Sequence, residues 1–257
     1  MSRYKITNGA FLFLLAALVV TDIQVDISLL WYLVLALLYS ALCAAGSFML
    51  SAGFFLRARC RGDKTGKRIA ITFDDGPVRG KTERILDILE TYHVQAAFFC
   101  IGRQVDMNKD LLRRIDAAGH LAGNHTYHHK NTIGFFPRHK VVRELVETDT
   151  CIEQTIGKRP RFFRPPFGVT NPMIADAVAR EDYQTVGWSI RSYDTVIKNP
   201  ARLLKRITAS LTPGDIVLFH DYCDGMISIL PDFIEFVRRK GFEIVRLDEL
   251  LNENAYR

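Results

Sequence analysis

The sequence is poor in cysteine, and its cysteines form no pattern. Five occur in 257 residues, Cys43, Cys60, Cys100, Cys151 and Cys223, widely spaced and without a CxxC pair. An odd, scattered set excludes a disulfide framework and a zinc–thiolate site, and predicts buried free thiols. No internal repeat and no low-complexity tract is present. No helix-turn-helix, zinc-finger or aromatic RNA-binding signature accompanies the formal net charge of +6. Nucleic acid is therefore not an expected partner. Charge itself is missing from residues 27–50, ISLLWYLVLALLYSALCAAGSFML.

A run of that length can cross a bilayer, which takes ~20 residues per helical span. Residues 6–23, ITNGAFLFLLAALVVTDI, form a shorter apolar segment before it. That segment lacks an A-x-A-like cleavage site and is followed by a longer apolar one, which argues against a cleaved signal peptide. The pattern predicts a transmembrane hairpin of two helices over residues 1–56, turning at Asp22 and Asp26. Residues 57–68, RARCRGDKTGKR, read as a basic juxtamembrane linker. Basic residues lie before the first helix (Arg3, Lys5) and after the second, and the turn is acidic. The positive-inside rule then puts both ends, and the large domain, in the cytoplasm of a bacterial inner membrane. Fully extended, such a linker reaches only ~50 Å, so any site beyond it stays near the lipid bilayer.

From residue 69 to 257 strands alternate with amphipathic helices. RIAITF, QAAFFCI, LAG, RFFR, YQTVGWSI, DIVLFH and FEIVRL read as strands. The helical segments between them carry apolar residues near 3.6 spacing, and two of them end in Gly119 and Gly157. Repeated β-then-α order predicts an α/β domain, a distorted (β/α) barrel of about seven parallel strands. Chemistry in such barrels sits at the C-terminal ends of the strands.

The polar residues of interest all fall there. Asp74 and Asp75 end the first strand in TFDDGP; His125 and His129 lie in NHTYHH after LAG. Arg164 ends RFFR, Arg191 and Asp194 follow the strand containing Trp188, and His220 ends DIVLFH. Two histidines four apart and a carboxylate can hold one divalent metal with positions left open. One aspartate of the doublet would ligate, and the cation would let the other stay ionised. That second aspartate can take a proton from the metal's water, and a histidine from another strand can protonate a leaving group. An arginine beside the base would hold it in place. Each piece alone has a plainer reading. A DDG is usually a solvated turn, and a His-x-x-x-His pair arises often by chance. His128 packs or faces solvent, His120 is a structural hydrogen-bonder, and His93 and His139 lie on helical surfaces.

In order, TFDDGP, HTYHH, RPPFG and LFH resemble the motifs of the polysaccharide deacetylase family, carbohydrate esterase family 4, the NodB-homology domain. The resemblance covers residues 69 to about 250, and AAFFCIGRQV and LLRRIDAAGHLAGNHTYHH extend it between the motifs. It implies hydrolysis of an N- or O-acetyl group from a carbohydrate. By position Asp74 matches the catalytic base, and Asp75, His125 and His129 match the ligands of a divalent metal, zinc first, with cobalt, nickel or manganese as alternatives. Arg164 matches the residue that orients the base, and the backbone N–H of Phe167 the oxyanion donor. His220 matches the general acid, and Leu218 the apolar residue of its motif. The fourth motif departs: in RSYDT (191–195) Arg191 replaces an acid, Thr195 replaces a tryptophan, and Asp194 keeps the second acid. Asp194 is then the remaining partner of the acid histidine. The expected substrate is an acetylated carbohydrate, lipid-linked, membrane-proximal or part of a cell-envelope polysaccharide. A deformylase or amidase using the same site, and a non-catalytic glycan-binding membrane protein, are the competing readings.

Overall fold

A computed structural model describes residues 3–257. Two antiparallel helices open it, α1 (Arg3–Val25) and α2 (Leu29–Phe48). Asp22 makes the turn by accepting from the Ile27 N–H (2.8 Å) and the Tyr32 hydroxyl (3.0 Å). Ser28 caps α2 through its hydroxyl, which accepts from the Leu30 N–H. The helices are joined by Tyr39, whose ring stacks on Phe11 at 4.2 Å and whose hydroxyl donates to Asn8 at 3.0 Å. The Tyr4 N–H donates to the Phe54 carbonyl at 3.0 Å, so the chain enters and leaves the hairpin on one side. Both helices are long and apolar enough to cross a membrane, a test that a signal sequence also passes. Among the described residues, eighteen of the twenty-five exposed large hydrophobic side chains lie between Ile6 and Met49. A surface of that kind calls for an apolar neighbour.

The remainder is β1 (Arg68–Asp74), α3 (Thr82–Thr91), β2 (Ala97–Cys100), α4 (Gly102–Met107), α5 (Lys109–Ala117), β3 (Leu121–Asn124), α6 (Arg138–Ile156), β4 (Phe162–Phe163), α7 (Pro172–Arg180), β5 (Gln184–Thr185), β6 (Ile190–Arg191), α8 (Pro200–Thr208), β7 (Ile216–His220), α9 (Asp224–Arg239), β8 (Glu243–Ile244) and α10 (Leu247–Leu251). Seven strands form a curled sheet in the order β5-β4-β3-β2-β1-β7-β6, and β8 pairs onto β1. Every ladder is parallel. In register, Asp74 stands beside His220 on one side and Phe99 on the other.

Period-two alternation sorts β1 into two environments. Ile69, Ile71 and Phe73 join the core under the helices, with Phe219, Phe233 and Leu203. Ala70, Thr72 and Asp74 take the other face. Its lower part is apolar, filled by Ala97, Phe99 and Ile216 and plugged by Leu247, Leu250 and Leu251 around α10. Its upper part is polar and holds the site.

Two features depart from the reading of the sequence. YQTVGWSI is not one strand. Its first part pairs with β4 and its last with β7, at opposite edges of the sheet. The crossing falls at Gly187, where a Cβ would stand 2.5 Å from Cys60 Sγ and 3.0 Å from Leu50. The segment 57–68 also runs along the barrel. Arg59 bridges Val186, Arg61 bridges Asp215, and the Gly62 N–H donates to Gly214 at 2.8 Å. Its basic charge is partly used internally, since Arg61 pairs with the fully buried Asp215 at 2.5 Å.

Candidate active site

The doublet separates at the end of β1. Asp74 keeps strand geometry and is buried. Asp75 takes a left-handed backbone, φ 78°, and both carboxylates approach His125 Nε2, Asp75 Oδ1 at 3.5 Å and Asp74 Oδ2 at 3.7 Å. The turn beneath has no room for a side chain, since a Cβ on Gly76 would lie 1.8 Å from Asp221 Oδ2.

Asp74 faces Arg164, which is fully buried. The Arg164 Nη1 donates to Asp74 Oδ1 at 2.7 Å and to Thr72 Oγ1 at 2.9 Å. Its other nitrogens donate to the carbonyls of Val186 (3.2 Å) and Gly187 (2.8 Å), and the guanidinium lies 4.0 Å over the Phe99 ring. Four of its five N–H groups are used, so the group is fixed and its charge is matched.

Asp75 faces two histidines. Its Oδ1 lies 3.5 Å from His125 Nε2 and 3.3 Å from His129 Nε2. The pair does not share a helical face. Residues 125–129 form a turn with left-handed Thr126 (φ 65°) and His129 (φ 51°), and the ring centroids sit 4.7 Å apart. His125 Nδ1 donates to the Arg164 carbonyl at 2.7 Å, because a carbonyl only accepts. Its Nε2 can therefore offer a lone pair to a metal; where no metal competes, burial lowers this imidazole but Asp74 and Asp75 outweigh it and raise it above its ordinary value. Asn124 braces the turn by accepting from the Thr126 N–H at 2.9 Å while donating to buried Asp149 at 2.8 Å.

One ligand atom from each of Asp75, His125 and His129 lies within 4.8 Å of the others. Asp75 Oδ1 is buried with no hydrogen-bond partner. A buried carboxylate oxygen without a donor, facing two imidazole nitrogens, fits a divalent transition metal. Burial raises the Asp75 carboxyl, and the neighbouring charge of His125, with His129 and His220, outweighs it and holds it at about 2. Burial and the charge of His125 press His129 down to about 4, keeping it a neutral donor.

His220 completes the ring. Asp194 holds it twice: Oδ1 accepts from Nδ1 at 2.8 Å and Oδ2 from the backbone N–H at 2.7 Å. Burial lowers this imidazole, but the bond and charge of Asp194, joined by Asp74 and Asp75, outweigh it and raise it above its ordinary value. Phe167 stands opposite with φ 59°, a strained conformation for this side chain. Among the described residues its N–H finds no acceptor, and its ring packs on His129 at 4.7 Å.

Asp74, Asp75, His125, His129, Phe167, Leu218 and His220 line one cavity of about 150 Å³. Arg164 and Asp194 stand behind it, on Asp74 and His220. The sequence singled out all of these. It did not single out Trp188 and Tyr222, which wall the cavity, or Asp221. Burial, opposed by the Thr82 hydroxyl and reinforced by Asp75 and Asp74, pushes the Asp221 carboxyl up to about 8. An acid next to a motif histidine was its only signal. His120 is buried and accepts from the Ala96 N–H at 3.1 Å, a structural role.

The sequence model of the polysaccharide deacetylase family matches residues 61–186. A peptidoglycan-N-acetylglucosamine deacetylase of Bacillus cereus is 32% identical over 190 residues, covering 72% of this chain and 88% of that protein. The chain belongs to the polysaccharide deacetylase family. Another relative in that family, the peptidoglycan-N-acetylglucosamine deacetylase PgdA of Listeria monocytogenes, is 33% identical over 74% of this chain. The chain spans only 40% of that protein's length. The solved Bc1960 peptidoglycan N-acetylglucosamine deacetylase superposes with a TM-score of 0.74 at 26% identity, covering 77% of this chain and 94% of that one. The curled parallel sheet is thus the polysaccharide deacetylase fold.

Proposed function

We propose that this chain is a membrane-anchored, metal-dependent hydrolase that removes N-acetyl groups from a hexosamine glycan close to the bilayer. The observation that carries this is the cavity over Asp74 and Asp75. It unites a two-histidine, one-aspartate donor set, a carboxylate locked by a buried arginine, and a histidine locked by a buried aspartate.

Asp75, His125 and His129 would hold the metal, zinc or another divalent transition ion. When bound, it supplies a Lewis acid toward water and the acetyl carbonyl. Asp74 accepts the proton of the attacking water, and Arg164 keeps its carboxylate aimed. The Phe167 N–H donates to the oxygen on which negative charge grows; its amide is preset by the strained loop. His220 gives a proton to the departing amine, and Asp194 fixes the tautomer so that Nε2 carries it. Trp188 and Tyr222 wall the cavity beside the acyl group.

Residues 1–56 serve as the anchor. The exposed apolar helices and the Tyr4–Phe54 contact support a hairpin whose two ends share one side. The basic residues at both ends favour the cytoplasmic side. Paired reporters fused after Arg257, one active in the cytoplasm and one after export, test the side; export activity reverses it.

The decisive assay is acetate release from N-acetylglucosamine oligomers by the full chain, with bound metal counted by elemental analysis. Release that stops on chelation and returns with zinc is expected. An equally active chelated protein overturns the metal-dependent reading.

A further inference from the structure

The cavity over Asp74 and Asp75 measures about 150 Å³, roughly five waters at ~30 Å³ each. An acetamido group fits inside, and the rest of the substrate must lie outside. Two larger cavities adjoin it, of about 440 and 360 Å³, and Arg191 lines all three. The larger one is walled by Arg202, Lys205 and Arg206 of α8. The other lies between Arg206, Tyr193 and the apolar stretch Phe48, Met49 and Leu50 at the end of α2. No acid lines either cavity, in a chain with 28 Asp and Glu.

None of these cations forms an ion pair among the described residues, yet two of them are fixed. Arg206 Nε donates to the Arg191 carbonyl at 3.1 Å. Arg206 and Arg191 lie 4.3 and 5.0 Å from the Tyr193 ring centre, and Arg191 lies 5.6 Å from that of Trp188. Rings preset the guanidinium planes without neutralising them. Uncompensated cations held side by side repel until an anion joins them.

The apolar wall continues to the anchor. The Ser47 carbonyl, in α2, accepts from the Thr170 N–H at 3.0 Å, three residues beyond Phe167. Asn171 donates to Gly134 at 2.6 Å, which joins a second loop to the same rim. That rim exposes Phe135 (90%) and Met173 (43%).

Resting on the deacetylase reading, we propose that Arg191 and Arg206 bind the phosphate of a lipid-linked glycosyl phosphate. Its acetamido group lies over Asp74 and Asp75, and its hydrocarbon tail leaves past Phe48 and Leu50 into the bilayer. Bidentate guanidinium–phosphate pairing supplies the recognition.

The test uses the full chain in phosphatidylcholine nanodiscs. N-acetylglucosamine 1-phosphate is titrated by calorimetry. Binding is expected, weakened about tenfold or more in Arg191→Gln/Arg206→Gln and largely kept in the paired lysine variant. Unchanged binding in the glutamine variant overturns the subsite. So does loss of binding when phosphatidylglycerol replaces phosphatidylcholine, which assigns the arginines to headgroups. Acetate release then reads the tail. The same sugar phosphate esterified to a long isoprenyl chain should exceed a neutral N-acetylglucosamine oligomer about hundredfold in kcat/KM, a ratio that shrinks in the glutamine variant. Equal kcat/KM on the two overturns the subsite and leaves deacetylation standing. Binding without acetate release from either substrate overturns deacetylation and leaves the phosphate site standing.

Discussion

The two proton-handling arms of the site are built differently. Asp74 is held from below, inside the sheet, by an arginine with no exposed surface. His220 is held from the rim by Asp194, on the loop after β6, and keeps 15% of its side chain exposed. The first arm is a buried ion pair. The second couples a partly exposed, titrating imidazole to a buried carboxylate. A base that must stay ionised is best locked where nothing can move. An acid that must regain a proton each turnover is best left near water. The comparison makes the base arm a matter of integrity and the acid arm a matter of pH.

The sharpest break is Asp74→Asn. The amide keeps the shape and removes the proton acceptor, so kcat should fall by ~10³–10⁴. Bound metal should persist, because Asp75, His125 and His129 are untouched. Near-normal turnover in this variant refutes Asp74 as the base. Next comes Arg164→Met. It leaves Asp74 buried and unpaired, which costs ~3–5 kcal/mol of stability. A lower Tm and urea midpoint are expected, and Arg164→Met/Asp74→Asn should recover part of the loss, since the stranded charge is gone. No recovery in the double variant would show that the guanidinium acts through Val186 and Gly187 instead.

The sequence exposed this asymmetry only in part. The β-branched runs RIAITF and DIVLFH became β1 and β7, adjacent and in register, because continuous apolar stretches are what a covered parallel strand requires. YQTVGWSI carries the same signal yet serves two edges of the sheet. Periodicity reports that a segment is extended, not which neighbour it pairs with; Gly187, crowded by Cys60, was the mark of the crossing. Short motifs put Asp74, Asp75, His125, His129 and His220 on the page because their spacing is local. Trp188 and Tyr222 reach the cavity through tertiary packing, which no spacing encodes. The sense of RSYDT was also hidden. Asp194 could be guessed as a partner of His220, but Arg191 reads as a mere departure until three cavities are seen to share it.

The mildest and most informative change is Asp194→Asn. Burial by itself lowers the His220 imidazole, and the bond and charge of Asp194 are what chiefly carry it above its ordinary value, with help from Asp74 and Asp75. The working form is the protonated one, so kcat should fall as pH rises through the raised value. Removing the charge returns much of the control to burial, and the alkaline limb of kcat must move toward acid. A loss of ~10- to 100-fold at neutral pH is expected, smaller than for the base. Stability obeys the same sign. A raised folded value means that the Asp194–His220 pair stabilises fully below the ordinary imidazole value of ~6.5 and ceases to do so as pH climbs through the folded one. The variant should therefore trail the parent in Tm at acidic pH and converge with it at alkaline pH. A uniform loss at every pH, with the limb unmoved, would make Asp194 a brace for the loop rather than the group that sets the proton on His220.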